Sequence, residues 1–103
     1  MAESNLSVRS ISWKDTTLIN ICDEDLIGKT LSEGKLQMHI SRDYFGGQTV
    51  DSTQALKMMK ESSIINLAGE QAVNIALSNK MGAKEAVRVI QGVPFLMIYK
   101  FSY

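Results

Sequence analysis

The chain has 103 residues, of which 45% are hydrophobic and 21% are charged, a balance that excludes an intrinsically disordered protein. Eleven basic side chains match eleven acidic ones, so the net charge is zero and binding to a polyanion would need a local basic surface. The single cysteine, Cys22, excludes an intramolecular disulfide and a zinc site built on cysteines.

The start of the chain and its apolar runs indicate a cytoplasmic protein. Residues 1–7 are small and polar and lack the features of a signal peptide, so we expect a flexible tail followed by one domain over residues 8–103. No apolar run approaches the ~20 residues that span a bilayer. We therefore expect neither a membrane partner nor a DNA partner.

The first predicted elements are three strands. Residues 8–13 and 17–22 have strand-like patterns, and Lys14-Asp15 can turn the chain between them to form a β-hairpin. Residues 23–34 are interpreted as a structured loop. Residues 35–40 alternate without a break and predict the clearest strand. Its inward side chains would be Leu36, Met38 and Ile40, and its outward ones Lys35, Gln37 and His39.

Two helices and two strands complete the pattern. Asp51 and Gln54 form the signature of a helix start, and Glu61-Ser62-Ser63 favours a break. A second helix is predicted over about residues 65–79. Strands are predicted over residues 87–90 and 95–101, with a turn at residues 91–94. The order β β β α α β β predicts an α+β domain, with a mostly antiparallel sheet of about five strands and both helices on one face.

Residues 21–30, ICDEDLIGKT, end like a phosphate-binding loop. The full motif needs a glycine five residues before Gly28, where this chain has Asp23. Asp23, Glu24 and Asp25 would repel a triphosphate, which excludes this kind of nucleotide site. The same carboxylates are ligands of the type that Mg²⁺ accepts, but consecutive residues rarely converge on one ion. We interpret the segment as a solvated turn and predict no metal and no cofactor.

Aromatic and basic residues cluster around a glycine pair. Tyr44 and Phe45 precede Gly46 and Gly47, so their rings could stack on a nucleic-acid base, or one ring could fill the core while the glycines shape a turn. His39 is the only histidine and lacks a neighbouring nucleophile, which favours a solvent-facing role. The candidate residues for binding RNA or another partner are Lys29, Lys35, His39, Arg42, Tyr44, Gly46 and Gly47.

Several segments together resemble the small archaeal domain-of-unknown-function family number four hundred and twenty-four. The resemblance covers about residues 17–100 and includes the loop candidates Asp23, Glu24, Gly28, Asn66, Glu70 and Gly92. The matching segments are residues 22–24, Leu26, residues 28–30, 33–36, 44–47, 66–70 and 72–73, and residues 92–94. The family has no assigned activity, so the resemblance implies no catalytic residue. It implies an archaeal cytoplasmic domain and, because such genes lie beside genes of translation initiation and ribosome export, a link to translation.

Three classes of function remain open. The first is a non-catalytic module that docks on ribosomal RNA or another ribonucleoprotein through the basic and aromatic candidates. The second is a small metal- or ligand-binding enzyme that uses the Asp23-Glu24-Asp25 loop with Asn66 and Glu70. The third is a protein–protein adaptor, either a monomer or a homodimer that pairs an edge strand over residues 95–101. Because no nucleophile and base can be paired from these residues, the non-catalytic module is favoured.

Overall fold

A computed structural model describes residues 5–100, and its centre is a mixed sheet of six strands. The strands are β1 (Leu6–Trp13), β2 (Thr16–Asp23), β5 (Gln48–Val50), β6 (Ile64–Ala68), β7 (Arg88–Ile90) and β8 (Val93–Tyr99), in the spatial order β5-β1-β2-β6-β8-β7. The β2–β6 pair is parallel and the other four pairs are antiparallel. The remaining two, β3 (Thr30–Glu33) and β4 (Leu36–His39), form a separate two-stranded ribbon, called the ribbon below.

Three helices accompany these strands: α1 (Arg42–Phe45), α2 (Ser52–Glu61) and α3 (Glu70–Ser78). α2 begins as predicted, since Asp51 Oδ1 accepts a hydrogen bond from the Gln54 amide at 2.8 Å. α2 and α3 pack against one sheet face, where they share a buried apolar core with β1, β2, β6 and β8. The predicted α+β class is confirmed, with a mixed sheet of six strands.

The predicted helix over residues 65–79 is wrong in its first third. Residues 64–68 form β6, which pairs with β2 and β8, and α3 begins only after Gly69. Gly69 has a φ of 108°, a conformation that interrupts a helix and suits glycine. The apolar residues before Gly69 therefore belong to a buried strand, which apolar periodicity alone does not distinguish from a buried helix.

The structure also differs from the prediction at other segment ends. Leu6 and Ser7 are buried in β1, so the domain begins earlier than residue 8, whereas residues 1–4 of the expected tail lie outside the described chain. The predicted loop over residues 23–34 contains β3. β8 lies between β6 and β7, so an edge strand there is wrong for its described part, and the sheet ends at β5 and β7.

The ribbon and α1 cover one end of the second sheet face. Their side chains form a smaller buried cluster with the ends of β2, β6 and β7: Cys22, Leu26, Leu31, Ile40, Phe45, Ala68 and Ile90. Two hydrogen bonds fasten the ribbon to the β7–β8 turn. Gln91 Oε1 accepts from the Ser32 amide at 2.8 Å, and the Gln91 amide donates to Glu33 Oε1 at 2.9 Å. Across residues 5–100, no helix has the length and apolar character needed to traverse a membrane.

Candidate functional site

A cavity of about 720 Å³ lies between the ribbon, α1 and the second face of the sheet. The ribbon contributes Leu36, Met38 and His39 to its wall. α1 and the residue before it contribute Tyr44, Phe45 and Ser41. The rest of the lining comes from four strands of the sheet and from Ala86, which precedes β7. It includes Asn20, Asn66, Arg88, Ile90, Phe95 and Met97. The lining is mainly apolar and the volume is in the range of ligand sites, so we treat this sheet–ribbon cavity as the candidate functional site.

Hydrogen bonds from β1 and β2 hold α1 at the edge of the cavity. Asn20 Nδ2 donates to the Tyr44 carbonyl and Ser7 Oγ donates to the Phe45 carbonyl, both at 2.9 Å. Arg9 Nη1 donates to the Gly46 carbonyl at 3.4 Å. These side chains satisfy carbonyl groups at the end of a helix too short to be stable by itself. The position of the Tyr44 ring is therefore tied to the sheet.

The two aromatic residues of α1 have different environments. Phe45 is buried in the cluster beneath the ribbon, whereas the Tyr44 side chain is 65% exposed. Their rings meet edge to face with centroids 6.1 Å apart. Of the two outcomes left open by the sequence, one ring does fill the core, and the other ring remains available at the cavity rim.

Two asparagines on adjacent strands form a polar pair on the sheet side of the cavity. The carbonyl of Tyr44 can only accept, so the amide group of Asn20 must point its nitrogen toward it. Asn20 Oδ1 then accepts from Asn66 Nδ2 at 2.8 Å. This sequence of bonds leaves Asn66 Oδ1 buried and without a hydrogen-bond partner. An unsatisfied buried acceptor of this kind costs about 1–3 kcal/mol.

The predicted basic candidates lie at the two ends of the ribbon. Lys29 pairs with Ile40 at the ribbon base, and Arg42 follows two residues later at the start of α1. Lys35 lies at the tip, five residues from Ile40 and thus ~17 Å along an extended strand. The structure therefore separates Lys35 from Lys29 and Arg42 and places the cavity wall between them.

His39 lies in the cavity wall and is exposed, as the alternation predicted. Its Nδ1 is 2.8 Å from Thr30 Oγ1 on the neighbouring strand. The predicted inward orientation of β4 is correct for Ile40, which is fully buried, and wrong for Leu36, which is 47% exposed. Leu36 reaches the cavity at a point where the ribbon extends past the buried cluster, which explains its exposure.

Gly46 and Gly47 shape the chain after α1. A Cβ atom at Gly46 would lie 2.5 Å from the Arg42 carbonyl oxygen. At Gly47, where φ is 146°, it would lie 3.2 Å from the Val8 carbonyl oxygen. Close backbone approach therefore requires glycine at position 46, and at position 47 the positive φ together with the tight contact disfavours a side chain.

The loop candidates do not form one site. Glu24, Asp25 and Glu70 are exposed, but Asp23 is only 7% exposed, so the prediction of a solvated acidic turn is wrong for Asp23. Gly28 and Gly92 lie at turns with positive φ and open space around them, and Asn66 belongs to the cavity. Within the described chain, no three His, Cys, Asp or Glu side chains are grouped so as to hold a metal ion.

Asp23 is buried because it caps α3. Its Oδ1 accepts from the Ala72 amide at 2.9 Å and its Oδ2 accepts from the Gln71 amide at 3.1 Å. Burial raises the pKa of the Asp23 carboxyl; these two amides oppose the shift, and the charges of Asp25 and Glu70 add to it. Both carboxylate oxygens are thus used in the fold, which removes Asp23 from the ligands that a metal-binding loop would need.

Cys22 is a core residue without exposed surface, as expected for an unpaired cysteine. Burial raises the pKa of its thiol to about 12, and the negative charges of Asp23, Asp25 and Glu24 add to the shift. A thiol in this state is a poor nucleophile, because the thiolate is the reactive form.

Sequence reasoning missed several residues of the cavity. Arg88, Phe95 and Met97 come from β7 and β8, which are distant in sequence from α1 and the ribbon. Arg9 lies opposite Asn20 in the β1–β2 pair, on the same face of the sheet. The alternation within each strand could have assigned these side chains to a face, but only the strand order brings the strands together.

Comparisons with known proteins identify the fold and the family. The chain is similar to a solved structure described as an uncharacterized conserved protein from Methanopyrus kandleri, with a TM-score of 0.80 and 22% sequence identity over 97% of this chain and 96% of that one. At this identity the likeness concerns the fold alone. No curated protein matches the chain. A family model described as "Protein of unknown function (DUF424)" matches residues 11–101, and the chain therefore belongs to this family.

Proposed function

We propose that the protein is a non-catalytic module that binds single-stranded RNA of the ribosome or of another ribonucleoprotein through the sheet–ribbon cavity and its rim. The observation that carries the proposal is an exposed aromatic ring, Tyr44, beside an apolar cavity whose lining includes Arg88. Aromatic rings stack on unpaired bases of any sequence, and nearby cations neutralise phosphates. This combination creates a local RNA-binding surface on a protein of zero net charge.

Three arginines supply the positive charge around the cavity. Arg88 contributes to its wall, Arg42 begins α1, and Arg9 lies beside Asn20 on the same sheet face. Arg9 donates from Nη1 to the Gly46 carbonyl, and within residues 5–100 none of the three is joined to an acidic side chain by a salt bridge. Their charges are therefore available to phosphates, and Lys29 and Lys35 extend the same surface to the two ends of the ribbon.

The translation machinery is the partner that we propose, and the cytoplasm is the proposed location. Two points support this partner. The family resemblance implies that genes of this family lie beside translation genes, and the surface around the cavity suits unpaired bases. Ribosomal RNA offers many such bases in loops and bulges, where the unpaired bases can be splayed out and stacked.

The RNA-binding proposal is tested by fluorescence anisotropy of a labelled, short single-stranded RNA at about 50 mM and about 200 mM salt. We expect affinity to fall with salt, and Tyr44→Ala to weaken binding by about fivefold to a hundredfold. Arg88→Gln should weaken binding and lower the salt slope by about one. The matched control is Lys57→Gln, because Lys57 is exposed on α2, on the opposite side of the sheet. Absence of binding at the lower salt concentration, or an equal loss in the control, would refute the proposal.

The ribosomal partner needs its own experiment. The protein is sedimented through a density gradient with ribosomal subunits from the source organism, at low and at high salt. We expect it to travel with one subunit at low salt and to dissociate at high salt, because phosphate contacts are weakened by salt. Protein that stays at the top of both gradients would exclude the ribosome as the partner, while RNA binding itself would be judged by the anisotropy experiment.

A protein–protein adaptor is a second candidate, favoured by the part of the same sheet face that the ribbon leaves open. Ile11, Trp13 and Met97 are all about half exposed or more on this face, and Trp13 reaches 69%. Sedimentation velocity at increasing concentration tests the homodimer form. A dimer that dissociates in the double variant Ile11→Ser and Trp13→Ser would support this function, and a monomer at every concentration would exclude the homodimer.

A further inference from the structure

Among residues 5–100, Oδ1 of Asn66 is a buried side-chain oxygen beside the cavity that has no hydrogen-bond partner. The Tyr44 carbonyl accepts a hydrogen bond from the Asn20 nitrogen, so the Asn20 oxygen accepts one from the Asn66 nitrogen. These two bonds fix the orientation of the Asn66 amide group. We propose that the cavity binds an adenine base and that Asn66 Oδ1 accepts a hydrogen bond from the exocyclic amino group of adenine. The RNA source of this base rests on the proposed function, whereas the choice of base rests on the cavity itself.

The apolar lining favours adenine among the four bases. Adenine carries an amino group and ring nitrogens but no carbonyl oxygen, whereas uracil, cytosine and guanine each carry at least one. A buried carbonyl oxygen needs a donor. The polar side chains on the sheet side of the cavity are Asn20, whose amide is already engaged, Asn66, and Arg88, which is exposed. Adenine thus offers its amino group to Asn66 without placing a carbonyl oxygen in the apolar part of the cavity. An asparagine side chain is also a frequent partner of adenine in nucleic-acid recognition.

A base can reach Asn66 only if a neighbouring side chain moves, since the oxygen has almost no accessible surface. Met97 lies opposite Asn66 in the β6–β8 pair, lines the cavity and is about half exposed. Methionine is unbranched and adapts its shape to neighbouring groups. Met97 is therefore the side chain that we expect to move aside and then pack on the face of the bound base.

The charged part of the ligand would lie at the rim. Arg88 pairs with Phe95 across the β7–β8 ladder, and Phe95 is next to Met97 on the same face of β8. The Arg88 guanidinium is therefore close to the place assigned to the base. A phosphate attached to the ribose would meet Arg88, and His39 borders the cavity on the ribbon side. Adenosine 5′-monophosphate is therefore expected to bind more tightly than adenosine.

Nucleoside analogues test the base assignment on the unmodified protein. Amide NMR spectra are recorded during titration with adenosine, with purine riboside, which lacks the amino group, and with N6,N6-dimethyladenosine, which lacks the donor hydrogens. We expect adenosine to shift cavity resonances and both analogues to bind at least about tenfold more weakly. Equal binding of adenosine and purine riboside, shifts confined to residues outside the cavity, or no shifts at millimolar adenosine would overturn the proposal.

A pair of variants checks the role of Asn66. In Asn66→Leu, adenosine and purine riboside should bind equally weakly, and in the matched control Asn74→Leu the preference should persist, because Asn74 is exposed on α3 on the other side of the sheet. A preference that survives Asn66→Leu would overturn the assignment. If Asn66→Leu fails to fold, the analogue series on the unmodified protein decides the question.

A final comparison separates RNA from a free nucleotide as the source of the base. A short oligouridine with one central adenosine is compared with oligouridine alone and with adenosine 5′-monophosphate. Preferential binding of the adenosine-containing oligonucleotide over both supports the base assignment and the RNA module. Binding of the monophosphate as tightly as the oligonucleotide would support the adenine assignment and refute the RNA module, and equal binding of the two oligonucleotides would refute the adenine assignment alone.

Discussion

The carboxylate of Asp23 accepts the hydrogen bonds that an N-cap side chain would normally accept, because the residue at the N-cap of α3 is Gly69. A Cβ atom at position 69 would lie 2.4 Å from the Asp23 Cγ atom. The Asp23 carboxylate therefore occupies the space that a side chain at position 69 would need. Glycine is needed at position 69 for its positive φ and to leave room for the carboxylate.

Gly69→Ala should be among the most destabilising single substitutions in the chain. It combines backbone strain with displacement of the capping carboxylate, and we expect a loss of about 2–5 kcal/mol in the free energy of unfolding, measured by urea denaturation. Gly92→Ala is the control, since Gly92 has a φ of 80° but nothing within 4 Å of the added Cβ. It should lose only the strain component, about 1–2 kcal/mol. Equal losses would show that the contact with Asp23 contributes nothing.

The raised pKa of Asp23 predicts a pH dependence of stability. Between the ordinary carboxyl pKa of about 3.9 and the raised value, the folded protein holds a proton that the unfolded chain has released. The stabilising effect of this proton is complete below about pH 4 and is lost as pH rises through the folded pKa. In Asp23→Asn the group does not titrate. The free energy of unfolding of the natural protein, relative to that of Asp23→Asn, should therefore be greatest in acid and should fall toward neutral pH. If this difference instead increased with pH, the amide hydrogen bonds would outweigh the effect of burial on the Asp23 pKa.

At the scale of elements, one side chain of the β7–β8 turn helps to hold the ribbon. Gln91 has a φ of 50°, so Gln91→Gly suits the backbone while removing the hydrogen bond to Ser32. We expect hydrogen exchange of the Ser32 amide to accelerate by about tenfold or more, with exchange in β2 unchanged, because the ribbon can loosen without global unfolding. Unchanged protection of Ser32 would mean that the buried Leu31 and Ile40 side chains hold the ribbon by themselves.

The elements that sequence could predict are those with a clear local signal. The β1–β2 hairpin and the start of α2 follow from alternation and from the Asp51 cap, and both are observed. β5 and α1 are too short, at three and four residues, to produce a periodic pattern. The local pattern of β6 predicts a helix, because its partner strands, β2 and β8, are distant in sequence and leave no local signal.

The candidate site was predictable to a smaller extent than the fold. Tyr44, His39 and Asn66 were singled out, and all three contribute to the cavity. The difference in exposure between Tyr44 and Phe45 was not predictable, because it depends on where the sheet holds α1. The sequence pattern predicts a solvated Asp23 because its amide partners lie 48 and 49 residues further along the chain.

On the scale of the whole molecule, Cys22 provides a probe of global unfolding. The thiol is buried beneath the ribbon and its pKa is raised to about 12, so at pH 8 its thiolate fraction is roughly a thousandfold below that of a free cysteine. Reaction with Ellman's reagent should therefore be slow in the native protein and should accelerate in urea together with the loss of circular dichroism. The reference is an exposed thiol, Ser78→Cys in a Cys22→Ala background. Fast native labelling of Cys22 would instead indicate frequent local opening of the ribbon.

The two faces of the sheet give the molecule a clear division of roles. α2 and α3 close one face with the larger core, and Lys100 Nζ donates to the Met59 carbonyl at 2.5 Å and the Lys60 carbonyl at 3.0 Å, which ties β8 to the end of α2. The other face is closed only in part and carries the cavity and the exposed Trp13. Both proposed functions use this second face, so binding need not disturb the main core.

The long-range cap on α3 determines how early the chain can fold during its synthesis. At 5–20 residues per second, a ribosome needs roughly 2–10 s after adding Asp23 before it adds the amides that this carboxylate accepts. For most of that interval β6, which is the parallel neighbour of β2, has not been synthesised, and neither has α3. Native assembly must therefore wait until most of the polypeptide has left the exit tunnel, and a chaperone that shields the early hairpin would raise the yield of folded protein.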